Sequence, residues 1–130
     1  METYSRASTV MKWDAATRMV YASFVPGSRL GEADANAIAE AFTRWIGADN
    51  DKFGVLIDAE GLAGSDGAFR ARCNAYFKQH KERAMMAVIH VGPIVAVLTE
   101  LFRIGSGLQL KTLSSETTAR AWLRSKGIDA

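Results

Sequence analysis

Phe53-Gly-Val-Leu-Ile-Asp-Ala-Glu-Gly-Leu-Ala-Gly-Ser-Asp-Gly67 is the stretch that decides the fold. Its apolar run, Phe53 to Ile57, ends in Asp58. A short glycine-rich loop follows, and from Asp66 the apolar period becomes helical. A buried strand that delivers a loop to a helix N-terminus is the building unit of α/β domains. The crevice outside the carboxyl end of such a strand is where these domains place their working surface.

Reading toward the C-terminus, Phe69, Cys73, Tyr76, Phe77 and His80 fall along one side of the helix that opens at Asp66. Ala84 to Val91 is a second apolar run, short enough for a buried strand. Gly92-Pro93 ends it, and Pro93 suits the first position of another helix. Val97, Leu98, Leu101 and Phe102 are expected to point inward from that helix, which stops near Gly105-Ser106-Gly107. Leu108 to Thr112 alternates as a strand. Ser114 or Ser115 then caps a last helix with Glu116 in its first turn and Ala119, Trp122 and Leu123 on its inner side. Gly127 closes it.

Reading toward the N-terminus, Ala35, Ile38, Phe42, Trp45 and Ile46 recur at helical spacing over Asp34 to Ile46, and Gly47 is a natural stop. Val10 to Trp13 and Arg18 to Val25 read as two strands joined by a turn at Asp14–Thr17. The order is ββαβαβαβα. It predicts an α/β fold with a mixed, mostly parallel sheet of about five strands, right-handed crossovers and covering helices. The N-terminal hairpin is expected at the sheet edge. The expected core is Val20, Phe24, Ile38, Phe42, Val55, Ile57, Phe69, Cys73, Phe77, Val88, Ile89, Leu98, Leu101, Leu110, Trp122 and Leu123.

Composition narrows the class. At 130 residues one domain over positions 1–130 is expected. A net charge of +2, with no run of five like charges, gives no argument for nucleic acid. The single cysteine excludes an intrachain disulfide and a cysteine metal cluster. Met1 to Arg6 lacks a signal-peptide core. Ala84 to Thr99 is too short and too interrupted to span a bilayer. A cytoplasmic protein is expected.

The element order, together with Val55-Leu-Ile-Asp58, Gly61-Leu62 and Thr112-Leu-Ser-Ser-Glu-Thr-Thr-Ala-Arg-Ala-Trp-Leu123, resembles the STAS, or SpoIIAA-like, family. That family comprises anti-sigma-factor antagonists and sulfate-transporter tails, and the resemblance covers nearly the whole chain. It implies a bacterial regulatory module that is not an enzyme, carries no cofactor and binds an unknown protein partner. In the family's antagonists the loop after the central strand carries Asp-Ser, and the serine is phosphorylated. Alignment through Leu62 puts that aspartate on Asp66 and that serine on Gly67. The usual phospho-serine switch is therefore not implied, although Ser65 lies one residue from the aspartate. The architecture also resembles the lipid-binding CRAL-TRIO group, which implies an alternative: a small apolar ligand in a pocket.

The partner-binding loop and helix are assigned to Asp58, Gly64, Ser65, Asp66, Gly67, Arg70 and Asn74. Gly64 and Gly67 leave the backbone open to close approach. Asp66 doubles as a helix N-cap, worth about 1 kcal/mol. Asp58 ends a buried strand and is expected to accept from loop N–H groups near Glu60 and Gly61. Arg70, Asn74, Lys78 and Lys81 form one polar stripe suited to an acidic protein surface. His90, in an apolar run, is expected to be a hydrogen-bonded core residue, and His80 lies near a helix C-terminus. Ser65, His90 and Asp58 can be written as a triad, but the G-x-S-x-G elbow is absent and no catalytic residue is assigned. The two histidines lack further ligands at short spacing, so no metal site is assigned. Met85, Met86, Phe102 and Trp122 are expected in the core, or around an apolar pocket. Trp13 and Tyr21, at the expected sheet edge, suggest a homodimer formed by edge pairing.

Overall fold

β5 (Phe53–Asp58) and β7 (Ala84–Ile89) form the centre of the sheet, paired in parallel from Phe53↔Ala84 to Asp58↔Ile89. Both are near-continuous apolar runs, the composition a parallel strand needs when helices cover both its faces. β7 is buried at every position. Met86 and Val88 serve one core, and Met85, Ala87 and Ile89 serve the other. The computed structural model describes residues 1–6 and 8–130.

The main sheet has six strands in the order β1-β2-β3-β5-β7-β8. Its first three, β1 (Glu2–Arg6), β2 (Thr9–Asp14) and β3 (Met19–Phe24), form an antiparallel meander. β3 then pairs in parallel with β5, and β8 (Gln109–Leu113) in parallel with β7. A second, two-stranded parallel sheet joins β4 (Ser28–Leu30) to β6 (Leu62–Ser65). Helices α1 (Glu32–Ile46), α2 (Gly67–Gln79) and α3 (Pro93–Ser106) cover one face; α4 (Glu116–Ser125) covers the other. The α/β class and mostly parallel sheet match the sequence expectation.

Local chemistry sets the helix ends. Asp34 accepts from the Gly31 N–H at 2.9 Å, and α1 stops at Gly47, where φ is +70°. Asp66 accepts from the Phe69 N–H at 2.8 Å and so caps α2 as its residue type foretold. Ser115, not Ser114, caps α4. Arg83 is buried, and its guanidinium donates to the Ile46 carbonyl at 3.0 Å and the Gly47 carbonyl at 3.3 Å. A cation thereby closes the negative end of α1.

Four expectations are corrected. The β2–β3 hairpin is not at the edge, because β1 pairs outside it from Glu2↔Trp13 to Arg6↔Thr9. Glu2-Thr-Tyr-Ser-Arg6 has no apolar alternation, so this strand rests on backbone pairing that leaves little trace in sequence. Trp13 and Tyr21 are consequently not edge residues. Trp13 is buried and stacks on Trp45 of α1 at 6.4 Å, and the Tyr21 hydroxyl accepts from Arg120 of α4 at 3.0 Å. Val97 and Leu101 face outward, 61% and 56% exposed, while Val95 is buried and Leu98 and Phe102 are half-buried. α3 is apolar nearly all round, so its period cannot choose the inner face. Finally, His90 is not a core residue: it follows β7 with φ +59° and its side chain is 44% exposed. Of the expected core, Phe24, Ile57, Phe69 and Trp122 are also only half-buried. Among the described residues no helix is long and apolar enough to cross a membrane.

Candidate functional site

The carboxyl ends of β5 and β7 lie side by side, which brings Asp58 beside His90. Asp58 Oδ1 is 3.0 Å from His90 Nδ1 and also accepts the Glu60 N–H at 3.0 Å. The contact to Glu60 was legible as a local turn. The contact to His90 was not, because the two residues are 32 positions apart and meet through strand pairing. Glu60 completes a group with Asp58 and His90 whose ligand-type atoms all lie within 4.8 Å of one another. A nitrogen and two carboxylates are a plausible donor set for a divalent ion. The group is half-buried to exposed, however, and the His90–Asp58 hydrogen bond accounts for its closeness without an ion.

The glycine-rich loop is tied down rather than open. Leu30 and Ser65 are register partners, and the Asp66 N–H donates to the Leu30 carbonyl at 3.0 Å. A Cβ on Gly61 would run into the Phe24 carbonyl, so only glycine fits that approach. Gly64 faces the Arg29 guanidinium, and Gly67 the Arg70 guanidinium. Arg70 folds back on the loop, donating through one terminal nitrogen to the Ser65 carbonyl and, at 3.4 Å, to its hydroxyl. The Ser65 hydroxyl therefore contacts Arg70, not His90, and the written triad is not assembled. Asn74 packs against the Gly105 backbone of α3, its Oδ1 buried without a partner among the described residues. It thus lies between α2 and α3, while Lys78 and Lys81 are exposed.

One feature went unrecognised in the sequence, and a second was recognised only in part. Ile94, Val97, Leu101 and Ile104 form one outward stripe on α3, exposed at 71, 61, 56 and 65%. Their spacing of three, four and three is a helical face, the signal that could have found it. Beneath α3, between the sheet, α1 and α2, is a cavity of about 150 Å³. Its walls are almost wholly apolar, and include Phe42, Phe77, Met86, Val88, Val95 and Phe102. Phe24, Leu62, Phe69, Leu98 and Arg70, all half-buried, line it too. Of the four residues expected around an apolar pocket, Met86 and Phe102 line this one, and Met85 and Trp122 belong to the opposite core.

Burial shifts two titratable groups on α2 and at its C-terminal end. Burial pushes the Cys73 thiol up to about 12, against a weaker opposing pull from Arg72. At neutral pH it is a small hydrophobe, not a nucleophile. His80, at the C-cap of α2, has its pKa lowered by burial first and by Arg83 second.

No protein-family model matches the sequence, and no curated protein matches it. Among solved structures the chain is similar to an uncharacterized protein of the DUF3478 family with a SpoIIAA-like fold, from Shewanella loihica PV-4. The TM-score is 0.69 at 14% identity, over 95% of this chain and 99% of that one. At that identity the likeness establishes the fold: this chain has a SpoIIAA-like fold. Fold alone does not assign chemistry.

Proposed function

We propose that this chain is a cytoplasmic, non-enzymatic regulatory module that works by binding a protein partner through α3. One observation carries the reading: the outward stripe Ile94, Val97, Leu101 and Ile104. Four large aliphatic side chains on one helix face make an apolar patch of the kind that marks interaction sites. A partner that lays an apolar groove or helix along the stripe removes it from water. The loop from Asp58 to Gly67 flanks this surface in the proposal, with Asp66, Arg70 and Asn74 serving structure first. No phospho-serine switch is part of it, because Gly67 stands where the family has serine and Ser65 is engaged by Arg70.

The test is a photo-crosslinking amino acid placed at Val97 and, as control, at Lys12, an exposed position on β2. A discrete adduct in host cells from position 97 and not from position 12 supports the reading. An adduct to a second copy of the chain would make the partner a homodimer. No adduct from position 97 removes the proposal.

A second reading has its own observation, the apolar cavity of about 150 Å³ under the same helix. A cavity of this size and lining suits a small apolar ligand. The two readings are compatible, since α3 lines the cavity with one face and presents the stripe with the other.

A further inference from the structure

Four residues with polar side chains line the cavity, Thr9, Ser65, Arg70 and Thr99; Thr99 donates to the Val95 carbonyl at 2.7 Å and Ser65 is engaged by Arg70. Thr9 lines it, is 2% exposed, and its hydroxyl is buried with no hydrogen-bond partner among the described residues. A buried hydroxyl left unpaired costs free energy, and a ligand oxygen would remove that cost. Arg70 lines the cavity too, half-buried. One of its terminal nitrogens is engaged by Ser65. Its Nε and other terminal nitrogen have no acceptor among the described residues, and no carboxylate lies within ion-pair distance of it. A half-buried guanidinium with a free two-donor edge is the geometry that holds a carboxylate.

Size limits what enters. An apolar cavity of about 150 Å³ is known to hold a molecule such as benzene, and this one has the same volume. Resting on the ligand-binding reading above, we infer that the cavity takes a small carboxylic acid with an apolar body of about six to eight carbons. Its carboxylate pairs with the free edge of Arg70, and the Thr9 hydroxyl donates to one of its oxygens. The ring or chain lies among Phe42, Phe77, Val88 and Phe102. A neutral apolar molecule would leave both Arg70 and Thr9 unmet. An amine of the same size would be repelled by Arg70.

Isothermal titration of the intact protein at neutral pH with hexanoate, phenylacetate, hexanol and hexylamine tests this. The acids are expected to bind at least about tenfold tighter than hexanol, since a charge-assisted bidentate contact is worth at least that factor. Hexylamine is expected to bind more weakly than hexanol. Arg70→Gln should bring acid affinity down to that of the alcohol and leave the alcohol unchanged. Arg70→Lys should recover part of the acid preference. Thr9→Val should weaken acid binding several-fold while the melting temperature of the free protein stays at or above that of the wild type, because the unpaired hydroxyl is gone. Acid and alcohol binding equally, with Arg70→Gln silent, would overturn the carboxylate assignment and leave the apolar-ligand reading standing. Failure of all four compounds, with the variants folded, would overturn both.

Discussion

His90 Nδ1 lies 3.0 Å from Asp58 Oδ1, so a side-chain pair links the carboxyl ends of the two central strands. His90 reaches that position with φ at +59°, a left-handed conformation that β-branched residues resist. His90→Gly removes the side-chain bond and relieves the backbone. His90→Val removes the same bond and adds strain. Urea denaturation should therefore find the valine variant about 1–2 kcal/mol less stable than the glycine variant. Equal stability would contradict the strained geometry.

Arg83 holds the end of α1 from inside the protein. It donates to the carbonyls of Ile46, Gly47 and Asp51, and to the Asp49 carboxylate at 3.2 Å. Arg83→Met leaves those carbonyls short of donors and should cost about 2–4 kcal/mol. Arg103→Ala breaks an exposed pair with Glu100 one helical turn away and should leave stability nearly unchanged. Chemical denaturation of the two variants side by side checks the contrast. Similar losses would show that burial does not set the worth of these cations.

Cys73 should be silent to thiol reagents in the folded protein. Burial keeps it protonated, with its pKa at about 12. Labelling by iodoacetamide at neutral pH is expected to follow urea unfolding, with no fast phase in native buffer. Rapid native labelling would mean that the cavity wall at α2 opens readily.

His80 gives the stability a defined slope in pH. Its folded pKa lies below the ordinary 6.5, because burial and then Arg83 disfavour the imidazolium. In the window between the folded value and 6.5 the unfolded chain binds a proton that the folded chain does not. The contribution is thus fully present above pH 6.5 and is lost as pH falls through the folded value. Thermal melts from pH 7.5 down to about 5 should show a decline that His80→Gln makes shallower. An identical slope in the variant would remove His80 as its source.

The parallel half of the fold was legible because its signals are local. Phe53–Ile57 and Ala84–Ile89 are apolar on both faces, and Asp66, Pro93 and Gly47 mark helix ends by their own chemistry. The edge strand Glu2–Arg6 was illegible because an exposed strand needs no apolar pattern. β4 and β6 were missed because three and four residues are too few to show a period. On α3, Val95 and Phe102 are no more hydrophobic than Val97 and Leu101. Only the packing against the sheet tells which pair faces inward. The candidate site was least legible. The cavity draws its walls from residues as distant as Thr9 and Leu110, and the unpartnered Thr9 hydroxyl and the open edge of Arg70 beside Ser65 are properties of space among the described residues, not of sequence.

Native mass spectrometry of the chain isolated from its host cells tests α3 as a binding surface most directly. The wild type should retain a protein partner or a second copy, and Val97→Glu with Leu101→Glu should release it while staying folded. These positions are 61% and 56% exposed, so the charges are tolerated by the monomer. A wild-type chain that appears bare, or a complex that survives both substitutions unchanged, would contradict a docking role for this helix.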